Sequence, residues 1–155
     1  MRWIWIDKFT EFTSKTSATA VKNVSLAEEH LHDLYPAFPI VPHSLIVEGM
    51  AQTAGILVGE ARNFQEKVIL AKIGKARFER LVRPGEQLVY AAKIVHVTEQ
   101  GAAIEGTITS RTAGGEVAVG VVDHSKSEAG CILPRTGRFR CTAARRKSAR
   151  TCARR

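Results

Sequence analysis

The sequence predicts an α+β domain in which an antiparallel sheet surrounds one central helix. Residues 44–59 are apolar all round, with Glu48 as the one ionisable side chain between Ser44 and Gly59. A helix without a polar face must be enclosed by other structure. Segments with strand character lie on both sides of it, two before and four after. This order of elements is typical of an antiparallel sheet packed round a helix.

The residues before the central helix predict two strands and a short helix. Aromatic and β-branched residues favour strands over 2–13 and 17–24. Ser25–Glu28 matches the S-x-x-E capping box, which predicts a short helix over 26–32. The prolines at 36, 39 and 42 each fix φ and remove a backbone donor, so the loop that leads into the central helix is expected to be stiff.

The residues after the central helix predict four strands joined by glycine-containing turns. Gly74 is expected to form a bulge in the first of them. Arg83-Pro-Gly-Glu86 predicts a turn, and the pairs Gln100-Gly101 and Gly114-Gly115 supply tight turns between the last three strands. The predicted strands are 67–80, 87–98, 102–112 and 116–124.

Charge and cysteine divide the chain into a body and a tail. The formal net charge is +8, from 23 Lys and Arg against 15 Asp and Glu. Residues 131–155 hold nine of the basic residues, no acidic residue and all three cysteines, which leaves the body close to neutral. The segment from Glu128 onward has neither helical nor strand period. We therefore expect a domain at 1–125 that folds alone and a basic, disordered tail at 126–155.

Composition also argues against several classes of function. An odd number of cysteines without C-x-x-C spacing argues against a disulfide framework and a zinc site, and we predict neither a metal nor a cofactor. No segment resembles a signal peptide or a transmembrane span, so a cytoplasmic protein is expected. Nucleic-acid binding by the tail is the less favoured alternative. A disordered appendage, or a segment translated from a shifted reading frame, fits the abrupt change in composition better.

Glu48 is the first candidate site residue. A carboxylate on an enclosed apolar helix is costly unless it is paired or used. Burial would favour its neutral form, which suits a group that must both accept and donate a proton. The alternative is a structural carboxylate held by backbone donors. Gln52, one helical turn further on, is expected to hydrogen-bond to Glu48 and orient it.

Histidines are the other candidates for acid–base chemistry. His43 stands at the start of the helix, either as an ordinary polar residue or as a base or substrate contact. Five residues at about 100° each place His43 and Glu48 about 140° apart, so only a two-chain site would bring them together. The others are expected at the surface or at sheet edges: His30, His96 and His124.

Several ordered blocks of the chain resemble the β-hydroxyacyl-acyl-carrier-protein dehydratases of type II fatty acid synthesis. The similarity covers about residues 2–123. It implies the hot-dog fold, a long central helix wrapped by a curled antiparallel sheet, and a homodimer whose sheets join edge to edge, often assembled into a trimer of dimers. The matching blocks are Val21-Lys-Asn-Val24, Tyr35-Pro-x-x-Pro-x-x-Pro42, Leu45-Ile-Val-Glu48-Gly-Met-Ala-Gln52, Lys75-Ala-Arg-Phe78 and Arg83-Pro-Gly-Glu86-Gln.

The resemblance implies removal of water from a (3R)-hydroxyacyl thioester. In this family a loop histidine two residues before the first proline takes the α-proton, and a helix glutamate from the partner subunit handles the leaving hydroxyl. Backbone N–H groups at the helix start hold the thioester oxygen. Glu48 falls on the glutamate, but Leu34 occupies the histidine position, and Asp33 and His43 replace glycines. A slip of the loop that presents His32 is one way to supply another base.

The resemblance assigns the remaining candidates to binding roles. Tyr35 replaces an aromatic residue of the family and is expected to pack, while Pro42, Ser44 and Gln52 are expected to contact the substrate. The thioester would be carried by acyl carrier protein or coenzyme A. Because acyl carrier protein is acidic, a basic run is the expected docking patch, the alternative being a solvated strand face. Its members are Lys72, Lys75, Arg77 and Arg80.

We therefore predict a hot-dog homodimer that resembles a hydroxyacyl-thioester dehydratase and is impaired by Leu34. Loss of a general base typically costs about 10²–10⁴ in rate, so weak activity and no activity are both compatible with the sequence. Two alternatives remain open. Glu48 alone could activate water in an acyl thioesterase, or the protein could bind thioesters as a non-catalytic scaffold.

Overall fold

The computed structural model describes residues 3–33, 35–70, 72–98, 101–112, 114–123 and 130–134. These ranges contain eight strands and two helices. The helices are α1 (His30–Asp33) and α2 (His43–Ala61). The strands are β1 (Lys8–Thr13), β2 (Ser17–Asn23), β3 (Glu66–Leu70), β4 (Lys75–Phe78), β5 (Gln87–Val97), β6 (Ala102–Thr112), β7 (Gly115–Asp123) and β8 (Gly130–Pro134).

Six of the strands form one antiparallel sheet in the order β1-β2-β5-β6-β7-β4. β5 lies near its middle, where Tyr90 is opposite Ala20 of β2 and Ile108 of β6. The remaining strands, β3 and β8, pair with each other in a separate two-stranded sheet. β1 and β4 are therefore the two edge strands of the large sheet.

α2 packs on the six-stranded sheet and supplies much of the core. Its side chains Ile46, Met50 and Leu57 are buried in the same core cluster as Tyr90 of β5, which is 1% exposed. Full burial of an aliphatic or aromatic side chain of this size contributes about 1.5–3 kcal/mol. The helix approaches the sheet closely at Gly49, where a Cβ atom would lie 2.5 Å from the Tyr90 ring and hydroxyl. Glycine is what permits this approach.

The sheet encloses only part of α2 within one chain. Ser44, Glu48 and Ile56 are exposed on its open side. The six-stranded sheet covers one side of the helix and leaves the other side open. The expected cover of this open side by a partner subunit stays a prediction.

The predicted fold class is confirmed, and the last three strands match their predicted bounds to within one residue at each end. The predicted strand over 67–80 is wrong. The chain leaves the small sheet after Leu70 and enters the large sheet at Lys75, with Gly74 in the intervening bend rather than in a bulge. β1 also starts later than expected, at Lys8, and residues 3–7 form no strand.

The predicted helix over 26–32 is shorter than expected, since α1 begins only at His30. One of the two capping-box hydrogen bonds nevertheless forms, since the Ser25 N–H donates to Glu28 Oε1 (3.3 Å). Ser25 Oγ accepts from the Ala27 N–H (3.2 Å) rather than from the Glu28 N–H. They close a turn over 25–28, whose Glu28 N–H donates to the Ser25 carbonyl. The sequence pattern thus specifies the local bonds but does not specify their continuation into a helix.

The segment predicted as an unstructured tail contributes one strand. β8 pairs antiparallel with β3, with Ile132 opposite Val68. The expectation that no strand follows Glu128 is therefore wrong for 130–134, where an apolar run of three residues is too short to show a period. The rest of 124–155 lies outside the described residues, as does Leu34. None of the described helices is long and apolar enough to cross a membrane.

Candidate active site

Glu48 lies in the second turn of α2 on the open side of the helix. Its side chain is exposed in the single chain, so the expected burial of Glu48 depends on a partner subunit and stays a prediction. The carboxylate is nevertheless held in place, because Gln52 Nε2 donates a hydrogen bond to Glu48 Oε1 at 2.9 Å. The predicted contact between these two residues, one helical turn apart, is confirmed.

Gln52 joins Glu48 to the segment that precedes β1. Its Nε2 also donates to the carbonyl oxygen of Trp3 at 3.0 Å, and its Oε1 accepts from the Trp5 N–H at 2.9 Å. The Trp5 donor and the Trp3 acceptor fix which end of the carboxamide is nitrogen. These contacts span 47 and 49 residues of sequence. Because these residues are far apart in the sequence, no local spacing pattern predicts their hydrogen bonds.

Trp5 anchors this N-terminal segment on the domain. It is 8% exposed, whereas Trp3 is 61% exposed. The two indole rings lie 5.7 Å apart with a tilt of 46°. On its other side Trp5 meets the His30 ring edge-to-face at 5.0 Å. The segment therefore has the Trp5 side chain in the interior of the domain and the Trp3 side chain at the surface.

His30 is half-buried beneath Trp5, so the prediction of a surface or edge histidine is wrong for this residue. Its Nε2 lies 3.4 Å from Glu28 Oε2, and Lys22 Nζ lies 2.8 Å from Glu28 Oε1. Burial lowers the pKa of His30, an effect that the negative charge of Glu28 opposes. The imidazole therefore favours its neutral form in the folded chain.

His43 is the first residue of α2, immediately after Pro42 at the N-cap. Its ring stacks on Phe78 of β4, with 4.2 Å between centroids and 3° between planes. The Nε2 atom is buried and has no hydrogen-bond partner among the residues that the structure describes. The ring is thus fixed by an aromatic contact rather than by a polar one. Its role as a base stays a prediction.

The proline loop is more open than expected in the single chain. Tyr35, expected to pack, is 52% exposed. Phe38 is also exposed, and the Arg83 guanidinium lies over its ring at 4.2 Å. His32 is exposed next to the loop, and Ser44 is exposed at the helix start. Leu34, the predicted position of the missing histidine, lies outside the described residues.

The predicted basic docking patch separates into two parts. Lys72, Lys75 and Arg77 are exposed, and Arg77 lies 3.7 Å from Glu79. Arg80 is different, because its guanidinium is ion-paired with the carboxylate of Glu86.

The Arg80–Glu86 pair belongs to the core side of the turn before β5. Glu86 also accepts hydrogen bonds from the Arg83 N–H at 3.0 Å and from Ser110 Oγ, and Ser110 is completely buried. Glu86 therefore ties this turn to β6, and the Arg80 guanidinium is bound to the same carboxylate. Because the Arg80 guanidinium is engaged by Glu86, the proposed docking patch is restricted to Lys72, Lys75 and Arg77.

Metal binding finds no support in the described part of the chain. It contains no group of three or more His, Cys, Asp or Glu side chains that could hold an ion.

Comparison with known proteins gives a consistent assignment. The sequence profile of the FabA-like domain family matches residues 3–121. The 3-hydroxyacyl-acyl-carrier-protein dehydratase FabZ of Thiobacillus denitrificans is 41% identical over 97 residues, which are 60% of this chain and 67% of the relative. The FabZ of Polynucleobacter necessarius is 34% identical over 117 residues, 75% of this chain and 76% of the relative.

Solved structures agree on the fold. A thioesterase family protein from Silicibacter pomeroyi superimposes with a TM-score of 0.61 and 11% identity, over 74% of this chain and 78% of that chain. At this identity the likeness concerns the fold alone. It confirms the hot-dog architecture, one central helix against a curled antiparallel sheet, that the sequence resemblance implied.

Proposed function

Since this chain belongs to the FabA-like domain family, we propose that it is a dehydratase of 3-hydroxyacyl thioesters in which Glu48 handles the leaving hydroxyl. The observation that carries the proposal is the Glu48 carboxylate on the open side of α2, held by the Gln52 carboxamide. The relatives that match over most of this domain are dehydratases of 3-hydroxyacyl-acyl-carrier-protein.

The proposed reaction breaks two bonds and forms a carbon–carbon double bond. A base removes the proton from the α-carbon, and the hydroxyl leaves the β-carbon as water after it receives a proton. Glu48 in its protonated form supplies that second proton. The product is the enoyl thioester, and the proton taken by the base later restores the acid.

The start of α2 suits the thioester carbonyl. The Leu45 and Ile46 N–H groups donate to the Pro42 carbonyl at 3.0 and 3.3 Å, which leaves the N–H groups of His43 and Ser44 without an acceptor one turn earlier in the helix. The helix dipole places partial positive charge there. No acidic side chain lies in that first turn of α2. Donors aimed at the oxygen stabilise the enolate-like charge that develops when the α-proton leaves. Pro42 and Ser44, at the N-cap and the second helical position, are the proposed substrate contacts.

The proposed site lacks the general base that the family uses to remove the α-proton. The family's histidine position is Leu34, and leucine has no lone pair to accept a proton. We therefore expect turnover that is slower by about 10²–10⁴ than with a positioned base. His43 is one alternative base, because its buried Nε2 has no hydrogen-bond partner among the described residues and lies on a ring stacked on Phe78.

The proposed site needs a second copy of the chain. Glu48 and Ile56 are exposed on α2, and Tyr35 and Phe38 are exposed on the proline loop. A homodimer that sets α2 of one subunit against the proline loop of the other would cover these apolar groups and desolvate Glu48. Further association into a trimer of dimers is part of the proposal.

The proposed carrier of the substrate is acyl carrier protein, with acyl-coenzyme A as the other thioester source. The exposed cations Lys72, Lys75 and Arg77 give the edge near β4 a positive surface that suits an acidic carrier. The cytoplasm is the proposed location, because both carriers are water-soluble.

Product analysis tests this proposal directly. The full chain is incubated with the (3R)-hydroxybutyryl thioester of acyl carrier protein, and enoyl thioester and free thiol are separated and quantified. We expect slow formation of enoyl thioester that Glu48→Ala abolishes. Glu60→Ala is the matched control, because Glu60 lies on the same helix but hydrogen-bonds to Ser14 at 2.8 Å.

Two outcomes would overturn the proposal. Release of free thiol without enoyl product would make the protein a thioesterase. Binding of the thioester without turnover, both in the native chain and after histidine is restored at position 34, would make it a scaffold.

A further inference from the structure

We propose that the N-terminal segment Trp3–Trp5 positions the Glu48 carboxylate, acting through the carboxamide of Gln52. This inference rests on the proposed function, because it assigns a positioning element to the same site. Gln52 is the positioning residue and the segment is its anchor, while Glu48 remains the group that meets the substrate.

The geometry of the carboxamide supports this role. Gln52 uses both ends of its amide on the same segment: Nε2 donates to the Trp3 carbonyl at 3.0 Å, and Oε1 accepts from the Trp5 N–H at 2.9 Å. Two bonds to backbone groups two residues apart fix the plane of the amide as well as its position. The remaining N–H is then aimed at Glu48 Oε1, 2.9 Å away.

The anchor is itself held on both sides of Trp5. The Trp5 ring is buried against His30, and Ile6 belongs to the core. The Asp7 N–H donates to the Val21 carbonyl at 2.7 Å, which ties the end of the segment to β2. The Trp5 N–H is therefore a fixed donor, although the segment precedes the first strand.

The consequence for Glu48 is selection of one carboxylate orientation. A glutamate on an open helix face samples several rotamers, and only a fraction of them place the carboxyl group where it can react with bound substrate. The hydrogen bond from Gln52 occupies Oε1 and leaves Oε2 for the substrate hydroxyl. Among the described residues Oε2 of Glu48 has no hydrogen-bond partner.

The first test separates the Trp5 N–H from the Trp5 ring. Trp5→Pro removes both, and Trp5→Ala removes the ring but keeps the N–H. Rates of enoyl thioester formation are measured in the Leu34→His, Asp33→Gly background, where the base is restored. We expect kcat to be about tenfold lower in Trp5→Pro than in Trp5→Ala, with KM changed less than about twofold, since misplacement of a catalytic group reduces kcat. Equal kcat values in the two variants would overturn the inference.

The second test does not require turnover. Exchange of the Trp5 amide proton is followed by NMR in the full chain and in Gln52→Leu, which is apolar and similar in size. We expect faster exchange by about tenfold or more in the variant, because the Trp5 N–H loses its acceptor. An unchanged exchange rate of the Trp5 amide proton would show that Gln52 does not hold the segment, and this would overturn the inference. The measurement decides the question even if Trp5→Pro does not fold.

The two tests keep this inference distinct from the proposed function. If no variant produces enoyl thioester, the dehydratase proposal fails, while the exchange measurement still decides whether the segment holds Gln52. If enoyl thioester forms at the same rate with and without the Trp5 donor, the dehydratase proposal stands and the positioning role is wrong.

Discussion

At the scale of single residues, Gly49 shows how the core sets the position of Glu48. Gly49 follows Glu48 directly on α2, and its Cα faces the buried Tyr90 ring. Burial, together with the nearby carboxylates of Asp7 and Glu28, raises the pKa of Tyr90 well above its usual value, so the ring stays neutral. The short distance between α2 and β5 at this point depends on the absence of a side chain at Gly49.

Replacing Gly49 should therefore separate the helix from the sheet. Gly49→Ala places a methyl group 2.5 Å from the ring and hydroxyl of Tyr90. We expect the free energy of unfolding to fall by about 1–3 kcal/mol, as for overpacked cores. Gly55→Ala is the control, because no atom lies within 4 Å of its added Cβ and alanine favours helix by about 0.5–1 kcal/mol. Equal urea midpoints for the two variants would contradict the proposed packing.

His30 makes the stability of the chain depend on pH. Because burial lowers its pKa from the ordinary value of 6.5, the unfolded state takes up a proton more readily than the folded state. The contribution is fully present above about pH 6.5 and is lost as the pH falls from there through the lowered folded value. His30→Phe keeps an aromatic ring against Trp5 and cannot titrate.

The pH dependence can be measured by urea unfolding at pH 8 and pH 5.5. We expect the loss of stability between these values to be smaller in His30→Phe than in the native chain. An identical loss in both would show that His30 does not contribute.

At the scale of elements, the sequence predicted those strand bounds that depend on a local pattern of residues. β6 has its predicted bounds because apolar and polar residues alternate between two glycine turns. The break between β3 and β4 was missed, since strand-forming residues surround Gly74 on both sides and only tertiary pairing places the two strands in different sheets. β8 was missed for the same reason, because its partner β3 lies 60 residues earlier in the chain.

In the candidate site, too, contacts set by local spacing were predicted and contacts set by tertiary structure were not. A spacing of four residues predicted the contact between Gln52 and Glu48, which the helix geometry alone determines. The hydrogen bonds from Gln52 to Trp3 and Trp5 depend on how the N-terminal segment crosses α2, and no local pattern encodes them. Glu48 is exposed in the single chain, and its cover by a partner subunit stays a prediction, because composition cannot say which chain covers an apolar helix.

Truncation tests the contribution of β8. A chain that ends after Ser125 lacks β8 but keeps all six strands of the large sheet, so we expect it to fold with a Tm lower by about 5 °C or less. A chain that ends after Arg135 keeps β8 and should melt like the full chain. Loss of the cooperative transition in the shorter chain would show that β8 belongs to the folding unit.

At the scale of the whole molecule, we expect a dimer that covers the open side of α2. Ile56 is 38% exposed there, on the same side as Glu48. Ile56→Glu should weaken the dimer because it places a charge in an apolar contact, whereas Ile56→Ala should weaken it less. Light scattering at micromolar concentration measures the mass of each. A monomeric native chain would contradict the two-chain site.

The central claim is that Glu48 serves a hydroxyacyl-thioester dehydratase whose base is missing at position 34. The most direct measurement is the initial rate of enoyl thioester formation by the Leu34→His, Asp33→Gly variant, with the native chain as reference. Restoring the base, and the glycine that the resemblance places beside it, should raise the rate by about 10²-fold or more. Adding Glu48→Ala should remove the gain. A dimeric double variant that forms no enoyl product would contradict the claim.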